Sequence, residues 1–319
     1  MSHFVVVIGE NIGSANLARL QEAQPDLEFR LCLEPATLVA NAADAEVIFS
    51  KQFPTGILAA AQHLRWVQAG TAGINHLLAA GLGERDILLT NARGAHGIPM
   101  AEQTLAMMFA FANRLPTLIQ AQEGQQRVAA QVIREKFELE GQTLCVIGLG
   151  DIGGTLAYKA QRLGLRVIGV RRTPTDFPYI DAQYSPEQLP EALPQADHVA
   201  LCLPLTAATT AIIGEAELRA MRPSAYLYNV GRGASIAGEP LLRALQAGWI
   251  AGAGLDVTDP EPLPADSPLW QQPNVILGQH TSGSSPYNAE RITTIFLNNL
   301  ARYRRGEPLQ NLIDKSQGY

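Results

Sequence analysis

The stretch VIGLGDIGGTLAYKAQRLGLRVIGVRR, residues 146–172, constrains this chain more than any other. Three glycines, Gly148, Gly150 and Gly153, stand in the spacing G-x-G-x-x-G. They follow the apolar run Thr143–Ile147 and open a helix-like stretch from Ile152 to Leu163. A second apolar run, Arg166–Val170, comes next. Each glycine has a physical task. Gly148 permits a tight turn, Gly150 lets the backbone approach a pyrophosphate, and Gly153 allows close helix–strand packing. The helix N-terminus adds unpaired N–H groups and the positive end of a dipole, both suited to phosphate. In this strand–turn–helix–strand setting the motif predicts a dinucleotide-binding, doubly wound sheet. Gly9 and Gly13 near the N-terminus lack the spacing and read as an ordinary turn.

The second apolar run ends in Arg171, Arg172 and Thr173. In such a fold that position faces the adenine ribose. An acid there would bond the free 2′-hydroxyl of NAD, whereas arginine attracts the 2′-phosphate of NADP. The sequence therefore predicts preference for NADP(H), with NAD(H) still accepted. The alternative is that both arginines are solvated turn residues.

Similar alternation runs along the whole chain. FVVVIG, EVIF and ILLT in the first block read as strands, and so do TLCVIG, RVIGV, HVALCL, AYLYNV, AGAGLDV and NVILG in the second. The stretches between them are long enough for crossover helices, which implies parallel sheets. The blocks cover about residues 1–98 and 143–283. Between them a helix is predicted to open after Pro99, with a polar helical stretch continuing to about Lys136. A last amphipathic helix places Ile292, Ile295, Phe296 and Leu300 on one face. At 319 residues, 47% of them hydrophobic, the chain has material for two cores. A formal net charge of −6 argues against a nucleic-acid partner. No apolar run reaches membrane-spanning length, and no signal peptide is recognised. Cys32, Cys145 and Cys202 lie in apolar runs and suggest neither a disulfide framework nor a metal site. A cytoplasmic protein is expected.

Three polar residues follow strands of the second block: Arg232 in NVGRGA, Glu261 in DVTDPEPLP and His280 in LGQHTSG. Ligands of open parallel sheets bind beyond the carboxyl ends of the strands, so all three can converge on the side of the glycine turn. Arginine can hold a carboxylate and polarise a neighbouring carbonyl. Histidine can exchange a proton near neutral pH, and a carboxylate beside it orients the ring. His3, His63, His76 and His198 lack a comparable partner pattern and read as structural or exposed, as does His96 near the crossover. No metal motif is found.

With these segments in order, ELEGQTLCVIGLGDIG, LCLPLTAAT, NVGRGASI, AGAGLDVTDPEPLP and LGQHTSG, the chain resembles the D-isomer-specific 2-hydroxyacid dehydrogenase family. The resemblance implies two doubly wound, Rossmann-like α/β domains with the active site in the cleft. Residues 1–98 with 287–319 would form the substrate domain, and 99–286 the NAD(P)-binding domain. It implies that Arg232 binds the 2-oxo acid, that His280 is the acid/base, and that Glu261 pairs with His280. Ala72 and Gly73, in VQAGTAGINHL, would offer backbone N–H groups to the substrate carboxylate. Cofactor contacts would come from Gly148, Gly150, Asp151, Ile152 and Gly153, and from Arg171, Arg172 and Thr173. Leu203, Pro204, Thr206 and Thr209 would lie along the adenosine. Val230, Arg232, His280 and Ser282 would complete the set, with Asp256 holding the nicotinamide carboxamide. The implied reaction is NADPH-dependent reduction of a small 2-oxo acid, glyoxylate or hydroxypyruvate, by a homodimer. Oxidation of phosphite, or a dinucleotide-sensing role like that of the family's corepressors, would use a similar residue set. Three positions depart from the family pattern: Asn75 replaces a common Asp, Gln279 replaces the usual Pro before the histidine, and TSGSS replaces an alanine-rich stretch. A tryptophan often found in the linker is also missing.

Overall fold

A computed structural model describes residues 4–173 and 175–316; His3 lies outside the described residues. The chain divides into two compact units, Met1–His96 with Ser285–Tyr319, and Gly97–Ser284.

The first unit is built on a five-stranded parallel sheet. Its strands are β1 (Val5–Ile8), β2 (Glu28–Leu31), β3 (Ala45–Ser50), β4 (Trp66–Ala69) and β5 (Leu88–Thr90), in the order β2-β1-β3-β4-β5. The central strands are continuous apolar runs because helices cover both faces. The helix Asn288–Arg304 returns to this sheet. Its Phe296 ring lies 4.7 Å from that of Phe49 and 5.4 Å from that of Trp66, all three fully buried. A polar chain runs through the same core. Trp66 Nε1 donates to Thr90 Oγ1 (2.8 Å), Thr90 donates to Gln68 Oε1 (2.8 Å), and Asn299 Nδ2 donates to Gln68 Oε1 (3.3 Å). Asn299 also pairs with the backbone of Gln310 in both directions. With these bonds made, the three buried amide and hydroxyl groups carry little desolvation penalty.

The second unit has a seven-stranded parallel sheet. Its strands are β6 (Thr143–Ile147), β7 (Arg166–Val170), β8 (Ala182–Tyr184), β9 (His198–Leu201), β10 (Tyr226–Asn229), β11 (Gly252–Leu255) and β12 (Val275–Leu277). The order is β12-β11-β10-β9-β6-β7-β8. Side chains alternate between two cores: Cys145 and Ile147 of β6 enter one face, Leu144 and Val146 the other. The chain runs outward from β6 to β8, then crosses back to β9 on the other side. This reversal opens a crevice at the carboxyl ends of β6 and β9. Among the described residues no helix is long and apolar enough to cross a membrane.

Local differences from the sequence reading have simple causes. The helix expected after Pro99 spans Gly97–Ala112 and includes that proline in its first turn, where an N–H has no intrahelical partner to lose. The polar stretch beyond it is two helices, Leu115–Glu123 and Ala129–Glu135; Arg114 interrupts the first junction with φ +55°. Strands β2, β4 and β8 did not stand out in the sequence.

Candidate active site

The glycine turn lies at the carboxyl end of β6. Gly148 has φ +99°, and a Cβ there would meet the Cys202 carbonyl oxygen at 2.9 Å. A Cβ on Gly153 would lie 2.0 Å from the Gly148 carbonyl oxygen, so any side chain would pry the helix off the turn. A Cβ on Gly150, in contrast, would meet nothing within 4 Å. That open approach sits at the start of the helix Asp151–Arg162, whose N-cap has no side-chain bond. The first-turn amides of Asp151, Ile152 and Gly153 thus border clear space, the arrangement a pyrophosphate requires. The Asp151 carboxylate is turned aside: Oδ2 lies 2.7 Å from where a Gly97 Cβ would be, at the start of another helix. The residues present fit a dinucleotide.

At the end of β7, Arg171 donates its backbone N–H to Tyr184 O (3.0 Å) and its guanidinium to Thr175 Oγ1 (2.6 Å). The second bond orients the guanidinium before any ligand arrives. Arg172 and Thr173 are exposed beside it. The loop after β9 carries Leu203, Pro204, Thr206 and Thr209. There the Thr209 hydroxyl donates to Pro204 O (2.7 Å) and accepts from Thr206 N (2.8 Å). Thr209 thus closes its own loop.

Arg232 follows β10 between two glycines for a steric reason. A Cβ on Gly231 would strike Leu203 O at 2.7 Å, and one on Gly233 would strike Thr258 O at 2.0 Å. The segment is wedged between the neighbouring strand-end loops. Asn229 pins it, accepting from Gly231 N (3.0 Å) and donating to Arg232 O (2.8 Å); Val230 is buried. Arg232 Nη1 donates to Gly231 O (2.7 Å). Burial lowers the Arg232 pKa from its ordinary value, and the charge of Glu261 partly offsets this. A guanidinium short of water is prepared to receive an anion.

The histidine and the acid come together. His280 Nδ1 is hydrogen-bonded to Glu261 Oε1. A carboxylate only accepts, so Nδ1 carries the proton and Nε2 is left for chemistry. Asp256, almost fully buried, holds the segment that carries the histidine. Its Oδ1 accepts from Thr281 N (2.9 Å) and Ser282 N (3.1 Å), and its Oδ2 accepts from the Ser282 hydroxyl. Asp256 and Ser282, both expected at the cofactor, are thus each other's partners here. Next to the pair is a cavity of about 220 Å³, bordered by Leu263, Trp270, Leu277 and Gln279 as well as His280 and Glu261. Sequence reasoning did not single out the orienting Thr175, the pinning Asn229 or Trp270. A Ser or Thr near a strand-end arginine, and an Asn opening a glycine-flanked turn, are the signals that were available.

Ala72 and Gly73 belong to the five-stranded unit and follow β4. Asn91 Nδ2 donates to Ala72 O (2.7 Å) and the Thr71 hydroxyl to Gly73 O (2.8 Å), so both carbonyls are held within the loop. Among the described residues no group of three His, Cys, Asp or Glu side chains is placed to hold a metal ion.

Comparison with known proteins adds to this geometry. The profile of the D-isomer specific 2-hydroxyacid dehydrogenase NAD binding domain matches residues 105–282. The chain is 33% identical over 290 residues to a glyoxylate reductase of Korarchaeum cryptofilum, covering 89% of this chain and 83% of that protein. A D-isomer specific 2-hydroxyacid dehydrogenase family protein from Aeromonas salmonicida superimposes with a TM-score of 0.88 at 31% identity, covering 98% of this chain and 100% of the other. A D-isomer specific 2-hydroxyacid dehydrogenase from Xanthobacter autotrophicus, solved with NADPH and MES, gives a TM-score of 0.82 at 28% identity, with full coverage of both chains.

Proposed function

Because the chain belongs to the D-isomer specific 2-hydroxyacid dehydrogenase family, and is therefore an NAD(P)-dependent oxidoreductase, we propose that it reduces a small 2-oxo acid of the glyoxylate or hydroxypyruvate type to the D-2-hydroxy acid, preferring NADPH. The observation that carries this reading is the His280–Glu261 pair at the strand ends of the sheet that bears the glycine turn and Arg232.

The nicotinamide supplies the hydride when bound. The chain's own groups do the rest. Arg232, largely withdrawn from water, presents its planar fork to the substrate carboxylate and keto oxygen and stabilises charge developing on that oxygen. His280 gives a proton from Nε2 to the same oxygen. Glu261 holds Nδ1 and so keeps the ring oriented for the transfer. The NADPH preference is supported by Arg171, already aimed by Thr175, with Arg172 beside it; two cations suit a 2′-phosphate and give a bare 2′-hydroxyl no matching charge.

A homodimer fits the outer surface of the second unit, where Phe109, Leu115, Leu118, Ile119 and Ile133 are exposed on consecutive helices. Three free, buried thiols fit a reducing compartment such as the cytoplasm.

The test is oxidation of NADPH and NADH, in parallel, by the purified protein against glyoxylate, hydroxypyruvate, pyruvate and phenylpyruvate. Turnover favouring NADPH, and glyoxylate and hydroxypyruvate over the other two acids, is expected. Cofactor binding without turnover of any 2-oxo acid would overturn the reductase reading.

A further inference from the structure

β8 is an edge strand of the seven-stranded sheet, paired with β7. Its register sets Gln183 beside Gly169 and Tyr184 beside Val170. Ala182 and Tyr184 pack on one core of the unit, so Gln183 lies on the opposite face. That is the face of the glycine turn: Leu149 fills the space that a side chain on Gly169 would take, its Cδ1 2.4 Å from where the Cβ would be. Gln183 finds partners for both ends of its amide in one residue. Thr175 N donates to Gln183 Oε1 at 3.0 Å, and Gln183 Nε2 donates to Thr175 O at 3.3 Å. The planar amide thus pairs with Thr175 much as the backbone of a further strand would.

Thr175, so held, places its hydroxyl. Arg171 Nη1 donates to Thr175 Oγ1 at 2.6 Å, and Arg171 N donates to Tyr184 O at 3.0 Å. The arginine is therefore fixed twice from β8: its backbone directly by Tyr184, its guanidinium through Gln183 and Thr175. A hydroxyl holds a guanidinium without neutralising it, so the positive charge stays available to a ligand. Two residues on, Phe177 anchors the same loop to the helix Asp151–Arg162, its Cζ 2.7 Å from where a Gly154 Cβ would lie. The loop keeps this attachment when Gln183 is changed.

We propose that Gln183 is a positioning residue for the choice of dinucleotide: through Thr175 it holds the Arg171 guanidinium ready for the 2′-phosphate of NADPH. A long side chain that is ordered in advance loses less entropy when its ligand arrives. NADH has no 2′-phosphate and draws nothing from that ordering. The inference rests on the NADPH preference proposed above and deepens it, assigning part of the preference to an edge-strand amide that acts through two other side chains.

The test uses the full-length protein and two readouts that need no turnover. One is the Kd for NADPH and for NADH by fluorescence titration. The other is the order of the Arg171 guanidinium in the free protein, from ¹⁵Nε relaxation. Gln183→Met keeps the length of the side chain and removes both amide bonds. It is expected to weaken NADPH about three- to tenfold, to leave NADH within about twofold and to loosen the guanidinium. Thr175→Val should do the same, and Thr175→Ser, which keeps the hydroxyl, should restore the wild-type values. In an Arg171→Ala background, Gln183→Met should change NADPH binding by less than about twofold, because the three residues act as one unit. Equal weakening of both dinucleotides would overturn the proposal, and so would an undiminished effect of Gln183→Met in the Arg171→Ala background; either would mean that the amide only stabilises the loop. Should Gln183→Met fail to fold, Gln183→Leu takes its place in every comparison. A wild type that binds NADPH no more tightly than NADH would refute the cofactor preference. The relaxation data would then decide the role of Gln183 alone, and an unchanged guanidinium order in Gln183→Met would overturn it.

Discussion

His198 opens β9 with no exposure, its ring packed among those of Phe137, Tyr226 and Tyr228. Nε2 is 2.6 Å from Gln142 Oε1, and Nδ1 is 3.1 Å from the Tyr228 hydroxyl. An amide oxygen only accepts, so Nε2 carries the proton and Nδ1 accepts from Tyr228: a neutral ring with both nitrogens satisfied. Burial pushes its pKa from the ordinary 6.5 down to about 4, opposed only in part by Asp197. The unfolded chain therefore binds one more proton than the folded chain between those values. The resulting stability is fully present above pH 6.5. It declines as pH falls, by about 1.4 kcal/mol for each unit of pH, and is gone below the folded pKa. Across the interval the loss is about 3 kcal/mol, a large share of the roughly 5–15 kcal/mol that holds an ordinary domain together. Urea unfolding of the wild type and of His198→Gln, from pH 7.5 to pH 4, measures it. Glutamine has a donor and an acceptor but does not titrate, and the carboxylates common to both proteins cancel in the difference. The wild type should lose about 3 kcal/mol more than the variant over this range. Parallel pH profiles would refute the argument and show that His198 is charged, or loosely held, in the folded protein.

Three further outcomes are expected. His280→Ala should lower kcat by about 10²–10⁴-fold, as removal of a general acid does, with NADPH affinity by fluorescence titration retained. Replacing Arg171 and Arg172 with alanine should weaken NADPH binding by roughly 10–100-fold, at about 1.5–3 kcal/mol for a charge-assisted bond, and leave NADH within about twofold; equal weakening of both would separate the arginines from the 2′-phosphate. Gly153→Ala places a methyl 2.0 Å from a backbone oxygen, so thermal unfolding should show a loss of about 1–3 kcal/mol together with weaker binding of either dinucleotide.

The parts of this molecule that could be read from the sequence are those with local causes. Gly148 is required by its positive φ and Gly153 by a steric contact within the motif itself, and the apolar runs of β6, β7, β9 and β10 announce strands buried on both faces. Arg232, Glu261 and His280 were recognisable because each follows an apolar run. What escaped depends on distant partners. β2 is an edge strand in which Arg30 pairs with Glu28 and Asp44, so its composition resembles a loop. β4 includes Gln68, whose amide is satisfied by Thr90 and by Asn299 of the last helix. Nothing in the pair Gln279–His280 signals positive φ; the bonds that hold His280 and Thr281 come from Asp256, at the end of the adjacent strand.

The aromatic cluster of Phe49, Trp66 and Phe296 has a consequence for biosynthesis. The first of these residues leaves the ribosome well before the last, separated by the whole of Gly97–Ser284. At a synthesis rate of about 5–20 residues per second, the interval is roughly 12–50 s. During that time β3 and β4 exist without the helix that covers them, while the intervening unit is contiguous in sequence and can close its own core. The later-made unit is thus free to fold first, and the N-terminal strands are the segment of the nascent chain that a chaperone would find exposed.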